Sequence, residues 1–304
     1  MPFWSTPIAA GLLIVSSFAH AAAPLAQPYI DPPRDKAHPA AMVYVRIPSQ
    51  EALMNGVLYT AAKGGLHPAV VLLHGLPGNE QNLDLAQSMR RTGFDVLTFH
   101  YRGSWGSPGA FSFVHAIEDA EAAVAFLHSA EVAAKYGIDT RRIYLVGHSM
   151  GGFLTAVAAA HEPNVAGLVM ISPWDISADG RKFTDPDFRK AAVEQELNDD
   201  VIPLAGTTVD KLMDEALSHA AGWDFTRDGS VLCPRPVLLI TADDDTYAGG
   251  HRLAQTLRGQ CGNTVTEHHF ITDHSYSDHR IALESVVVDW LERTDTAVRG
   301  RISH

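Results

Sequence analysis

Several things are scarce in this chain, and each shortage removes a class of function. Basic residues number 23 against 35 acidic ones, for a formal net charge of −12, and the Lys and Arg are scattered rather than clustered. No nucleic-acid surface and no anionic-membrane surface is therefore expected. Internal repeats and low-complexity tracts are absent. Pro7 to Phe18 is apolar but too short to span a bilayer. It has the length of a signal-peptide core, and Ala19-His20-Ala21 supplies the small residues that precede cleavage. Residues 1–21 are accordingly read as a signal peptide, although MPFWST lacks a basic residue; the mature chain is exported, to periplasm or medium, and keeps no stable membrane association. No cysteine follows the apolar run, which argues against a lipoprotein. H-E-x-x-H is missing too. The cluster His268, His269, His274, Asp278 and His279 has no regular ligand spacing, and strand alternation sends His268 and His269 to opposite faces, so no metal is expected.

What is present centres on Tyr144-Leu145-Val146-Gly147-His148-Ser149-Met150-Gly151-Gly152, an apolar strand that ends in G-x-S-x-G and becomes a small-residue helix. A serine on so tight a turn sits in a sparsely allowed backbone conformation, so its flanking positions need glycine. The turn exposes the Ser149 hydroxyl at the carboxyl end of a sheet, with the Met150 N–H facing an incoming carbonyl oxygen.

The 304 residues, 46% hydrophobic, fit one large α/β domain over residues 22–304. Period-2 and apolar runs predict eight strands, near Met42 to Ile47, Gly56 to Thr60, Ala69 to Leu73, Asp95 to His100, Arg142 to Val146, Ala166 to Ile171, Pro236 to Thr241 and Val265 to Phe270. Helical patterns lie between the later ones. Asn79 is expected to cap a helix that stops at Gly93, and Val114, Ile117, Val124 and Leu127 repeat at helical spacing. Such alternation implies a mostly parallel sheet with its site at the carboxyl edge. The stretch from about 174 to 235 breaks the alternation and is expected to be a helical cap, with Phe183, Phe188, Leu212, Leu217 and Trp223 as its apolar residues.

The other catalytic parts are expected at the ends of neighbouring strands. Ala69 to Leu73 runs into His74-Gly75-Leu76-Pro77-Gly78, whose Leu76 N–H is a second candidate oxyanion donor. Asp243, Asp244 and Asp245 follow one late strand, and His274 follows the last. Trp105 and Trp174, both after strands, are candidate pocket walls. The two cysteines sit just before the last two strands; if those strands are neighbours, Cys233 and Cys261 can form a bridge worth on the order of 3 to 4 kcal/mol in chain entropy.

Together VVLLHGLPGN, FHYRGSWGSPGAF, IYLVGHSMGG, LLITADDD and DHSYSDH resemble the α/β-hydrolase superfamily over Val43 to Leu291. The resemblance is to the branch of esterases and acyl-peptidase-like proteins related to prolyl oligopeptidases and dienelactone hydrolases. It implies a mostly parallel eight-stranded sheet flanked by helices, with a cap insertion, and a Ser-Asp-His triad. The family's G-x-x-D falls on Ala242 to Asp245 and favours Asp245 over Asp243 and Asp244. Its G-H falls on Asp273-His274; His279 is the competitor, and Ser277 and Asp278, which look like the start of the last helix, would turn it away. The expected protein is a serine esterase that needs no cofactor, forms an acyl-enzyme on Ser149 and acts on small esters; a peptidase or amidase cleaving short peptides is the alternative.

Overall fold

The computed structural model describes residues 30–194, 198–224 and 229–302. The expected signal peptide lies outside them. Among the described residues, no helix is long and apolar enough to cross a membrane.

The strands are β1 (Ala41–Ser49), β2 (Ala52–Thr60), β3 (His67–Leu73), β4 (Asp95–Phe99), β5 (Ile138–His148), β6 (Gly167–Ile171), β7 (Val237–Ala242) and β8 (Val265–Phe270). They form one eight-stranded sheet in the order β1-β2-β4-β3-β5-β6-β7-β8. All neighbours from β4 to β8 run parallel, while β1 and β2 form an antiparallel hairpin, closed by a tight turn at Gln50, that adds the sheet's edge. The helices are α1 (Leu83–Arg91), α2 (Phe113–His128), α3 (Ala130–Tyr136), α4 (Met150–His161), α5 (Ile176–Lys182), α6 (Pro186–Ala192), α7 (Asn198–Asp200), α8 (Val209–His219), α9 (Tyr247–Cys261) and α10 (Arg280–Ile302).

Period-2 alternation splits each central strand between two cores. Val71, Leu73, Leu145 and Met170 face α2, α4 and α9, whereas Val70, Leu72, Val146 and Ile171 face α1 and α10. Burial on both faces explains why these strands read as continuous apolar runs. Strand order reverses between β3 and β5, which opens a crevice at the carboxyl ends of those two strands.

Two sequence expectations need correction. The helix expected to be capped by Asn79 starts at Leu83, after Asn82 in a left-handed conformation. Asn79 Oδ1 accepts the Glu80 N–H and the Glu80 carboxylate accepts the Asn82 N–H, so local side-chain bonds hold this stretch out of the helix. The insertion between β6 and β7 is helical, as expected, but its apolar residues belong to the main core. Phe183, Leu212 and Trp223 are buried there, and Trp223 packs edge-on against Phe113 and Phe153. Glu215 of α8 accepts the N–H groups of Phe113 (2.8 Å) and Val114 (3.0 Å), a carboxylate on the amino end of α2. The backbone at Pro203 and Ala205 pairs with Gly103, Trp105 and Phe111. These contacts fasten the insertion to the loop after β4.

That loop is anchored from below. The Arg102 N–H and Nε–H donate to Asp119 of α2 at 2.7 and 2.6 Å, and Ser49 Oγ donates to the same carboxylate at 2.6 Å. Both charged side chains are almost wholly out of water. The Cys233 and Cys261 sulfurs are joined in a disulfide with Cα atoms 5.4 Å apart, tying the turn before β7 to the end of α9.

Breaking a buried ion pair leaves the partner charge stranded, so Asp119→Ala should cost about 3–5 kcal/mol in chemical denaturation. A loss below about 1 kcal/mol would show that the Arg102 anchor is not what holds this loop.

Candidate active site

Ser149 follows the last residue of β5 with φ 57° and ψ −120°, a conformation that L residues rarely adopt. Close packing enforces it. A Cβ on Gly147 would lie 2.0 Å from the Gly151 carbonyl oxygen, and one on Gly151 would lie 2.0 Å from that of Leu73. The turn is pinned by hydrogen bonds from Ser149 N–H to Ile171 O (2.9 Å) and from Trp174 N–H to Ser149 O (3.0 Å). The Ser149 side chain makes no capping bond to α4, so its hydroxyl is not spent on the helix.

The turn after β3 lies directly against the serine. A Cβ on Gly75 would sit 3.0 Å from Ser149 Cβ and 3.6 Å from its Oγ. Leu76 follows at once, and Met150 opens α4, which puts both expected N–H donors on turns beside the hydroxyl. His74, beneath this turn, is driven by burial to a pKa of about 3 and is neutral, with Nδ1–H donated to Gly75 O at 2.7 Å. Gly78 wraps over that ring at φ 101°, where a Cβ would meet His74 Cε1 at 2.4 Å.

His274 lies past the end of β8, and its Nδ1 is 2.8 Å from Asp244 Oδ2. The expectation that Asp245 supplies this carboxylate is corrected: Asp245 is on the surface, and Asp244, with 6% of its side chain exposed, is the partner. The reason is local. Asp244 Oδ1 accepts the N–H (2.9 Å) and Oγ–H (2.6 Å) of Thr246, an Asx-type turn that leads the chain into α9 and points this carboxylate inward. Asp243 is taken by His269 Nε2 at 3.0 Å. Burial raises the Asp244 pKa, but hydrogen bonds from His274, Thr246 and Ser172 outweigh it and bring it down to about 2. Ligand-type atoms of Asp244, Asp245 and His274 fall within 4.8 Å of one another among the described residues, but two of the three groups already bond each other.

His279 is not part of this arrangement; its Nδ1 pairs with Asp278 at 2.8 Å just before α10. His148, which the sequence marks only as a neighbour of the serine, has a definite position. Its Nε2 lies 2.9 Å from the His274 carbonyl, and the two rings are 4.7 Å apart. A carbonyl only accepts, so Nε2 carries the proton. Burial and the nearby His274 push the His148 pKa to about 3, which keeps the ring neutral.

The two candidate tryptophans differ. Trp105 is 43% exposed, sits at φ 46° and donates Nε1–H to Pro77 O at 2.8 Å, at the turn beside the serine. Trp174 is half-buried against Phe113, donates Nε1–H to Asp179 at 2.7 Å and braces Ser149 through its backbone. Ser172 and Tyr276, which the sequence analysis passes over, lie behind Asp244. The only sequence signal for either is its place, directly after β6 and two residues past His274.

A family model described as alpha/beta hydrolase fold matches residues 68–216. An esterase of Pyrobaculum calidifontis superposes with a TM-score of 0.63 at 22% identity, covering 86% of this chain and 88% of that one. The chain has the α/β-hydrolase fold. Among curated relatives, an uncharacterized protein of Mycobacterium tuberculosis is 32% identical over 40% of this chain. A cutinase of Thermobifida alba is 24% identical over 43% of it. The matched regions span under half of these relatives, 41% and 43% of their lengths.

A carboxylate whose folded pKa is depressed stabilises the fold above its unfolded pKa and gives that up as pH falls through the folded value. Asp244 should therefore contribute on the order of 2 kcal/mol near neutrality, present above about pH 4 and waning toward pH 2. Denaturation of Asp244→Asn against the native chain should show a stability gap that narrows steadily below pH 5. A gap independent of pH would contradict an ionised, bonded Asp244.

Proposed function

We propose that this chain is an exported serine hydrolase that cleaves carboxylic esters through an acyl-enzyme on Ser149. The observation that carries the reading is the Asp244–His274 bond, supported by the contact of His148, one residue before the strained Ser149, with the His274 carbonyl; the Ser149 hydroxyl makes no capping bond to α4.

In this reading, ionised Asp244 holds His274 with Nδ1–H donated to the carboxylate, which leaves Nε2 as the base. As Ser149 Oγ bonds to the ester carbonyl carbon, Nε2 takes the serine proton, and the carbonyl oxygen becomes an oxyanion received by the Leu76 and Met150 N–H groups. Collapse breaks the bond to the leaving alkoxide, which takes the proton from His274. Water then enters and gives a proton to His274 as its oxygen bonds to the acyl carbon; collapse breaks the bond to Ser149 Oγ, which takes the proton back from His274 and frees the acid. No cofactor is needed for any step. Trp105 and Trp174 are the proposed pocket walls.

Small esters are favoured over peptides. Peptide ends need charged partners, yet Arg280 is committed to Asp84, Asn82 and the Ser275 carbonyl, and Arg102 to Asp119 and Glu118. The name of the Thermobifida relative, a cutinase, supports ester chemistry. Export is supported by the apolar leader and the Cys233–Cys261 bridge.

Short-acyl aryl esters should be cleaved with kcat/KM at least roughly 10²-fold above matching aminoacyl anilides. On those esters Ser149→Ala should be inactive, and Asp244→Asn should lose about 10³–10⁴ in kcat while Asp245→Asn stays within about threefold. Equal rates on anilides would favour the peptidase, and a larger loss for Asp245→Asn would return the acid to that residue.

A further inference from the structure

We propose that Ser172 and Tyr276 are positioning residues that form a hydrogen-bond relay behind Asp244 and fix its carboxylate on His274. The inference rests on the acyl-enzyme reading and names further residues on which it depends.

Ser172 is the first residue past β6, fully buried, with its N–H donated to Ile240 O at 2.8 Å. Tyr276 is also fully buried, two residues past His274. Its ring packs edge-on against Phe270 at 5.7 Å and His148 at 6.2 Å. The two hydroxyl oxygens are 2.9 Å apart, and Ser172 lies near enough to the Asp244 carboxylate to help lower its pKa. Direction follows from proton count. In the relay the carboxylate only accepts, so the single Ser172 proton turns to Asp244 and Tyr276 donates to Ser172 Oγ. Burial raises the Tyr276 phenol well above its ordinary range, so it stays a donor at any working pH. The sequence of donors is Tyr276 to Ser172 to Asp244, whose other partner is His274. Each accepting atom is polarised by the bond behind it.

Backbone strain separates this pair from ordinary core polar residues. Ser172 sits at φ 40° and Tyr276 at φ 57°, both in the left-handed region, as does Ser149. Each costs on the order of 1 kcal/mol or more, a cost that glycine would remove. Such strain persists where the side chain is needed at that point. Here both side chains converge on one carboxylate, between the ends of β6 and β7 and the loop after β8. The neutral His148 ring holds the His274 carbonyl, so acid and base are each held in part by groups that carry no charge.

The test uses Ser172→Gly, Ser172→Ala, Tyr276→Phe and Ser149→Ala, with steady-state kinetics on an aryl ester and thermal unfolding of each. Glycine suits φ 40°, so a merely structural Ser172 would give Ser172→Gly an unchanged or higher Tm with full activity. The relay instead predicts that Ser172→Gly and Ser172→Ala lose about 10- to 100-fold in kcat, with KM within about twofold, whatever their difference in Tm. Tyr276→Phe should lose kcat in the same way, to a lesser degree. Near-native kcat in Ser172→Gly and Tyr276→Phe, beside an inactive Ser149→Ala, overturns the relay alone. Rate losses that follow Tm across the variants, instead of the presence of the hydroxyl, also overturn it. Retained activity in Ser149→Ala overturns the acyl-enzyme reading and the relay with it.

Discussion

The closeness of the β5–α4 turn to the end of β3 is the constraint from which the rest of the site follows. With a Cβ excluded at both Gly147 and Gly151, helix and strand pass at backbone contact, and the residue between them is forced into a conformation that lifts its side chain clear. The same contact brings the Gly75 turn against the serine. Parallel register does the remainder: Gly147 lies opposite Leu73, His148 opposite Ile171, and Ile171 opposite Ile240. Residues distant in sequence thus leave the sheet at one level, and their loops meet.

Electrostatics at this edge is sorted by burial. His74 and His148 lie wholly inside and are neutral, so they act as fixed hydrogen-bond donors to backbone carbonyls. Asp244 is also largely inside but keeps its charge, because the donors around it outweigh desolvation. The result is one ionised carboxylate bonded to one imidazole, with two neutral histidines bracing the backbone around them. The disulfide and the Arg102–Asp119 anchor stabilise the frame at some distance from this edge.

Much of this was legible in the sequence, because the features concerned are local. Doubly buried strands announce themselves as apolar runs, and all eight were placed; the G-x-S-x-G turn carries its steric logic in its own glycines. What was missed depends on side chains choosing among near-equivalent partners. Three consecutive aspartates follow β7, and the inward one is decided by an Asx turn to Thr246, a one-residue difference that motif alignment assigned to Asp245. Asn79 failed as a helix cap because its side chain found a nearer N–H. Trp223 and its insertion neighbours read as cap residues because the α2 and α4 faces that bury them are distant in sequence. Ser172 carries no motif, and Tyr276 stands in DHSYSDH without a role assigned to it; their meaning arises from the meeting of β6, β7 and the loop after β8.

The central claim, that Ser149 is a nucleophile whose ester is an intermediate, is tested most directly by trapping that ester. A chromogenic acetate ester, mixed with the protein, quenched in acid within milliseconds and digested for mass spectrometry, should yield one acetyl group on the peptide bearing Ser149. A burst of about one equivalent of chromophore should accompany it. An acetyl group on another residue, or turnover with neither adduct nor burst under conditions where deacylation is slow, would contradict the account.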